Sequence, residues 1–164
     1  MEKRLYKKEV INCPRRVVYE TYAKGFGDEY LFNSSLRNSE PLRQWELNQV
    51  VGTAHKCWFK DSKYFIMEKI TKAMENTRLV VSLLKTNLPI KDCRKVIEFK
   101  SLSNDVTEVS YTLSYHKKKE LFGLFSYKDE AERSFDIEHT LKDLKEYLEQ
   151  GKLMNQHKLE IVYL

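Results

Sequence analysis

His55 and Cys57 stand two residues apart in the stretch TAHKCWFK, residues 53–60. On a β-strand that spacing puts both side chains on one face, where they suit a thiolate–imidazole pair or two ligands of a metal. No third and fourth ligand follows at a zinc-type spacing, so no metal is expected, and a packed cysteine beside a hydrogen-bonded histidine is the plainer alternative. Cys13 precedes Pro14, Arg15 and Arg16 at the predicted start of a helix. That environment lowers a thiol pKa, although a small, partly buried side chain would sit there equally well. Tyr22, Tyr111, Tyr115 and Thr140 carry polar tips on otherwise apolar faces. Such groups hydrogen-bond internally or await a ligand or water. Glu138 and His139 read as a solvated or rim pair. No serine elbow or Walker loop occurs, and Gly25-x-Gly27 lacks the third glycine of a dinucleotide fingerprint and follows no strand. No cofactor is expected.

The elements that must position these residues follow from periodicity and turn signals. Residues 4–12 form a short β-type segment that stops at Cys13-Pro14, where proline suits the first position of a helix and Cys13 falls at its cap. The helix ends at Gly25-Phe26-Gly27, and a second short helical piece is predicted over 28–38. From Gln44 onward six strands are expected, over 44–49, 53–60, 64–73, 78–86, 93–102 and 106–117, joined by short turns into an antiparallel meander. Alternation places Thr53, His55, Cys57 and Phe59 inward, with Cys93, Ile97 and Phe99, and with Val109, Tyr111, Leu113 and Tyr115. Lys95 shares the inner parity of its strand, a charged exception on an apolar face. The strands at 64–73 and 78–86 are apolar on both faces. A long amphipathic helix is predicted from near Tyr127 to Gly151, with Ile137, Leu141, Leu144 and Leu148 on one stripe.

A chain of 164 residues suits one domain that buries about two thirds of its unfolded surface. With 29 basic and 24 acidic residues the net charge of +5 belongs to a mixed surface, and the basic residues form no continuous stripe, so no nucleic-acid partner is expected. The chain opens with no signal-type apolar run and has no stretch of about 18 apolar residues, from which no membrane span and a cytoplasmic location are expected. Three cysteines, an odd number without a Cys-x-x-Cys, fit a reduced compartment.

A strand, two short helices, a six-strand meander and a long last helix make an α+β order that resembles the helix-grip fold of the START-like superfamily, also called SRPBCC. The likeness is strongest to its bacterial polyketide-cyclase/dehydrase and lipid-transport branch. It is carried by residues 11–26, by the Gly-started strand 50–59, by the hairpin 67–84, and by Leu121–Ser126 with Leu141–Lys152. It covers about residues 4–152, so residues 1–152 read as the domain and 153–164 as a C-terminal extension that packs on a sheet edge or on a neighbouring subunit of a homodimer.

The resemblance implies a curved sheet of about seven strands gripping the long helix, with an internal apolar cavity between them. The ligand-facing set is then Tyr22, His55, Cys57, Phe59, Ile97, Phe99, Tyr111, Tyr115, Phe122, Phe125, Thr140, Leu141 and Leu144. Leu121, Phe122, Leu124 and Phe125 would cover one end of the cavity, as a plug of the core, a ligand gate or a membrane contact. The expected function is carriage or sensing of an apolar or aromatic small molecule or lipid. The alternatives are a cyclase, dehydrase or hydrolase using His55 or a cavity tyrosine as acid or base, and a protein-interaction or lipid-quinone chaperone role. An uninterrupted apolar cavity favours the carrier, two ionisable groups converging on a water-sized space favour the enzyme, and a filled interior with exposed Phe122 and Phe125 favours the interaction role.

Overall fold

The computed structural model describes residues 2–43, 49–118 and 134–154. Phe122 and Phe125, and the extension beyond residue 154, lie outside the described residues. The elements in chain order are β1 (Glu2–Ile11), α1 (Arg15–Lys24), a 3-10 turn (Phe26–Leu31), β2 (Leu36–Arg43), β3 (Ala54–Phe59), β4 (Phe65–Met74), β5 (Arg78–Thr86), β6 (Ile90–Ser103), β7 (Val106–Lys117) and α2 (Ile137–Gln150). One seven-stranded sheet runs β1-β7-β6-β5-β4-β3-β2, every neighbour antiparallel.

Tight turns make this meander. Asp61 and Asn76 sit between successive strands with φ of 54° and 56°, a left-handed conformation that Asp and Asn tolerate better than most residues. The strands β5 and β7 coincide with their predicted ranges. The predicted alternation holds on the inner face, where His55, Cys57 and Phe59, then Cys93, Ile97 and Phe99, then Val109, Tyr111, Leu113 and Tyr115 are all buried. The stripe of α2 packs into this concave face through Ile137, Leu141 and Leu144.

Three boundaries differ from the expectation. The second helical piece is only the turn Phe26–Leu31, because residues from Leu36 onward are drawn into the sheet as β2. Pro41 and two register shifts disguise that strand, which lies at the edge where proline is tolerated. Ser39 docks it on the turn: its hydroxyl donates to Gly27 O at 2.9 Å and accepts from Tyr30 N at 3.2 Å. The expected strand at 44–49 lies mostly outside the described residues. Secondly, α1 begins one residue late, since Pro14 has a ψ of 139° and so precedes the first helical residue. Thirdly, the helix expected from near Tyr127 to Gly151 is interrupted before Ile137, and its first part, at 127–133, lies outside the described residues. Asp136 has a non-helical ψ of 79°, and its side chain accepts from His139 N at 3.0 Å as the cap of α2. Gly151, with φ of 66°, closes the other end, as its sequence position predicts.

Candidate functional site

The sheet interior is not uniformly apolar. Glu29, His55, Glu68 and Lys95 are all buried, at 2%, 0%, 1% and 5% exposure. Each is delivered by a different element. Glu68 lies between Ile66 and Ile70 on the inner face of β4, and it is the direct cross-strand partner of His55 on β3. Lys95 comes from β6, across the intervening β5. Two strand spacings are about 9.6 Å, a gap that only a long side chain reaching toward another can close. The lysine and glutamate do so, Lys95 Nζ donating to Glu68 Oε2 at 2.6 Å. Glu29 enters from the 3-10 turn.

His55 holds the centre of this cluster. Its ring stacks on Phe26, with centroids 3.7 Å apart and planes 10° from parallel. Nε2 lies 3.1 Å from Glu68 Oε2, and Nδ1 faces the Phe26 carbonyl oxygen. Both ring nitrogens thus lie against oxygen atoms. Burial opposes the charge on Lys95, yet the Glu68 carboxylate and then Glu29 outweigh it and hold the ammonium above its ordinary pKa. Burial likewise works against the Glu68 carboxylate, but Lys95 and His55 bring it below its ordinary range. Glu68 and Lys95 are therefore a buried ion pair. Burial, reinforced by Glu29, pushes the Tyr22 and Tyr111 phenols and the Cys57 thiol well above their ordinary values.

Glu29 is held by one oxygen only. Asn33 Nδ2 donates to its Oε1 at 2.9 Å, and Asn33 Oδ1 in turn accepts from Ser35 N at 3.0 Å and from Thr140 Oγ1 of α2 at 3.5 Å. The other oxygen, Oε2, is 3.9 Å from His55 Nδ1 and meets no hydrogen-bonding partner among the described residues. Beside it is a cavity of about 20 Å³, whose wall includes Glu29, Lys95, Tyr111, Thr140, Asn33 and Cys57 on the polar side. Ser134 also lines it, and Leu36, Phe59, Ile66, Phe135 and Ile137 form the apolar side. That volume holds about one water molecule. Lys95 Nζ also lies 5.6 Å from the centre of the Phe135 ring, a cation–π distance.

Of the residues expected from the sequence, Cys57, Phe59, Tyr111 and Thr140 line this cavity. Tyr22, His55, Ile97, Phe99, Tyr115, Leu141 and Leu144 are buried in the same core without forming its wall. Phe99 packs edge-on against Tyr19 instead, at 5.5 Å between centroids. The cluster members that reasoning from sequence missed are Glu29, Asn33 and Glu68. For Glu68 a signal existed, since it shares parity with Ile66 and Ile70. Lys95 was visible as an exception to alternation, and it turns out to be buried rather than misaligned.

Glu29, His55 and Cys57 bring ligand-type atoms within 4.8 Å of one another. The donor set does not fit a metal. Both imidazole nitrogens already face oxygens, the thiol is held protonated by burial, and Sγ lies 3.4 and 3.6 Å from the two nitrogens, off the lone-pair line of either. Cys13 is a buried side chain rather than an activated thiol. Burial, then the Glu149 carboxylate, raises its thiol pKa, and burial takes Cys93 up to about 12. A wider groove of about 630 Å³ lies on the outside between α1 and the β4–β5 turn. Its cations Arg16 and Lys24 are paired with Glu20.

No protein-family model and no curated protein matches the chain in sequence. Solved structures match its fold. A START superfamily protein from Mycobacterium smegmatis aligns with a TM-score of 0.69 at 13% identity, over 91% of this chain and 99% of that one. Norcoclaurine synthase from Thalictrum flavum aligns with 0.69 at 12%, over 92% and 88%. The protein XoxI from Bacillus cereus aligns with 0.67 at 12%, over 90% and 96%. No helix among the described residues is long and apolar enough to cross a membrane. With its seven-stranded curved sheet closed on α2, the chain has the START-like helix-grip fold.

Proposed function

We propose that the space between sheet and α2 binds a small, mainly apolar or aromatic molecule, as a carrier or sensor does, and that the molecule presents a polar end to Glu29, Lys95 and Tyr111. The observation behind this reading is the ion pair Lys95–Glu68 placed in an apolar core beside a polar cavity. Burying two charges costs several kcal/mol per ion, and an apolar pair of similar volume serves stability as well or better. A mostly apolar pocket with a few converging polar groups is what small-molecule sites look like. The uninterrupted apolar cavity expected of a simple lipid carrier is not what surrounds these residues. A cavity of about 20 Å³ accepts only the polar end, so the body of the ligand must displace side chains such as Phe135 and Ile137 at the start of α2.

Native mass spectrometry of freshly purified protein tests this. A retained small molecule, released on denaturation and absent from the charge-free variant Lys95→Met/Glu68→Gln, is the expected result. A wild-type protein that carries nothing and takes up no apolar fluorescent probe would sink the proposal.

A second reading, acid–base catalysis, is favoured by one specific feature: Glu29, whose Oε2 has no hydrogen-bonding partner among the described residues, lines the same water-sized space as Lys95. In that reading Glu29, rather than His55, takes the proton, because His55 is fully engaged. Norcoclaurine synthase, one of the proteins of like fold, is by its name an enzyme. If turnover occurs, wild type and Glu29→Gln should retain molecules of different mass, product in one and substrate in the other. Identical masses would leave carriage alone.

A further inference from the structure

We infer that the polar end of the ligand is a hydroxyl group, so that the site takes an alcohol or phenol in preference to a carboxylate, an amine or a pure hydrocarbon. This rests on reading the interior as a ligand site and goes one step further, to the chemistry the cavity accepts. Its wall offers two unlike charges. Lys95 is donor-only, with one hydrogen committed to Glu68 at 2.6 Å and two more to give. Glu29 Oε2 is acceptor-only, fully buried, and meets no donor among the described residues. A group that enters must therefore accept from one side and donate to the other.

The candidates separate on that requirement. A carboxylate would answer Lys95 but bring a negative charge against Glu29 and Glu68. An ammonium would answer Glu29 while lying against Lys95. A carbonyl or ether accepts without donating and leaves Glu29 Oε2 unmet, and a methyl group leaves both unmet; a buried charged group left unpaired is costly. A hydroxyl donates its one hydrogen to Glu29 and offers its lone pairs to Lys95. Its size also matches, since the cavity of about 20 Å³ holds one oxygen with its hydrogens and little more. On the other side the wall is apolar, with Phe59 and Phe135 edge-to-face at 5.3 Å, so displacing Phe135 opens space beside Phe59 for an aromatic or aliphatic body attached to that oxygen.

Four probes of similar shape decide it: 2-naphthol, 2-methylnaphthalene, 2-naphthylmethylamine (an ammonium at neutral pH) and 2-naphthoate, titrated into the whole protein by fluorescence at neutral pH. The naphthol should bind at least ~10-fold tighter than each of the other three, as expected where a site built for a hydroxyl excludes analogues that lack one. Glu29→Met, which removes the acceptor, should reduce the preference over 2-methylnaphthalene to within ~3-fold. If Glu29→Met does not fold, the isosteric Glu29→Gln supplies the same reading, because its neutral amide no longer leaves a buried charge unmet when 2-methylnaphthalene binds. Tightest binding by naphthoate, naphthylmethylamine or methylnaphthalene, or equal binding by all four, would overturn the hydroxyl inference while leaving an interior ligand site standing. Binding by none would overturn both.

Discussion

Lys95 and Glu68 are the residues whose chemistry departs most from their neighbours, and their energetics can be separated by mutation. Lys95→Met alone strands a buried carboxylate and should lower stability at neutral pH by about 3–5 kcal/mol. Lys95→Met/Glu68→Gln removes both charges and should recover most of that loss. Chemical denaturation of the two variants beside wild type measures this; equal losses in both would mean the ion pair is not formed. The pH dependence has a definite sign. Glu68 has its folded pKa depressed below its ordinary 4.5, so its contribution is complete above that value and disappears as the pH falls through the folded pKa. Lys95 has its folded pKa raised above 10.5, so its contribution is complete below that value and is lost only as the pH rises beyond it. The pair should thus be insensitive to pH over roughly pH 5–9, and the wild type should lose more stability between pH 7 and pH 3 than the double variant does. Parallel urea midpoints at those two pH values check it.

At the scale of elements, α2 supplies both the grip on the sheet and a tie to the site. Leu141 and Leu144 are 2% and 1% exposed. Leu144→Asp would put an unpaired charge into that face and should unfold the protein or leave a state without cooperative melting. A cooperative thermal melt near the wild-type midpoint would contradict the packing. On the same helix Asp143 accepts from Ser34 N at 2.7 Å and from Ser34 Oγ at 2.6 Å, while Thr140 reaches Asn33. These bonds fasten the segment after the 3-10 turn, and through Asn33 they orient Glu29. The stripe of α2 was legible because its period is local, four residues at a time. The strand β2 was not, because proline, serine and two bulges mask its alternation and only its pairing with β3 makes it a strand.

For the whole molecule, both chain ends bear on the fold. Lys7 Nζ of β1 donates to Glu138 at 2.9 Å, and Asn12 N donates to Glu149 at 2.6 Å, so the first strand is bound to the last helix across the full sequence separation. Beyond Gly151 the chain is still attached, Met154 N donating to Leu31 O at 2.9 Å beside the turn that carries Glu29. We propose that the extension is part of the folded unit or of a contact between two copies. Truncation after Lys152 should then lower the melting temperature or change the sedimentation mass. A truncated protein equal to the full chain in both would show that residues 153–164 are dispensable.

Periodicity alone determined that this chain alternates into a meander, that one amphipathic helix covers it, and that Tyr111, Tyr115, His55 and Cys57 turn inward. Each of those properties depends on neighbours within a turn or two of the chain. Composition and motif spacing also removed the phosphate-loop and dinucleotide chemistries from consideration. What the tertiary structure alone decided is the company these side chains keep. Glu29 precedes Lys95 by most of the sheet, and Glu68 meets Lys95 only because β4 and β6 flank β5 and two long side chains bridge the gap. No local signal encodes that meeting. It arises because a curved antiparallel sheet brings residues far apart in sequence to one depth of the core, where the low dielectric makes each buried charge require a partner.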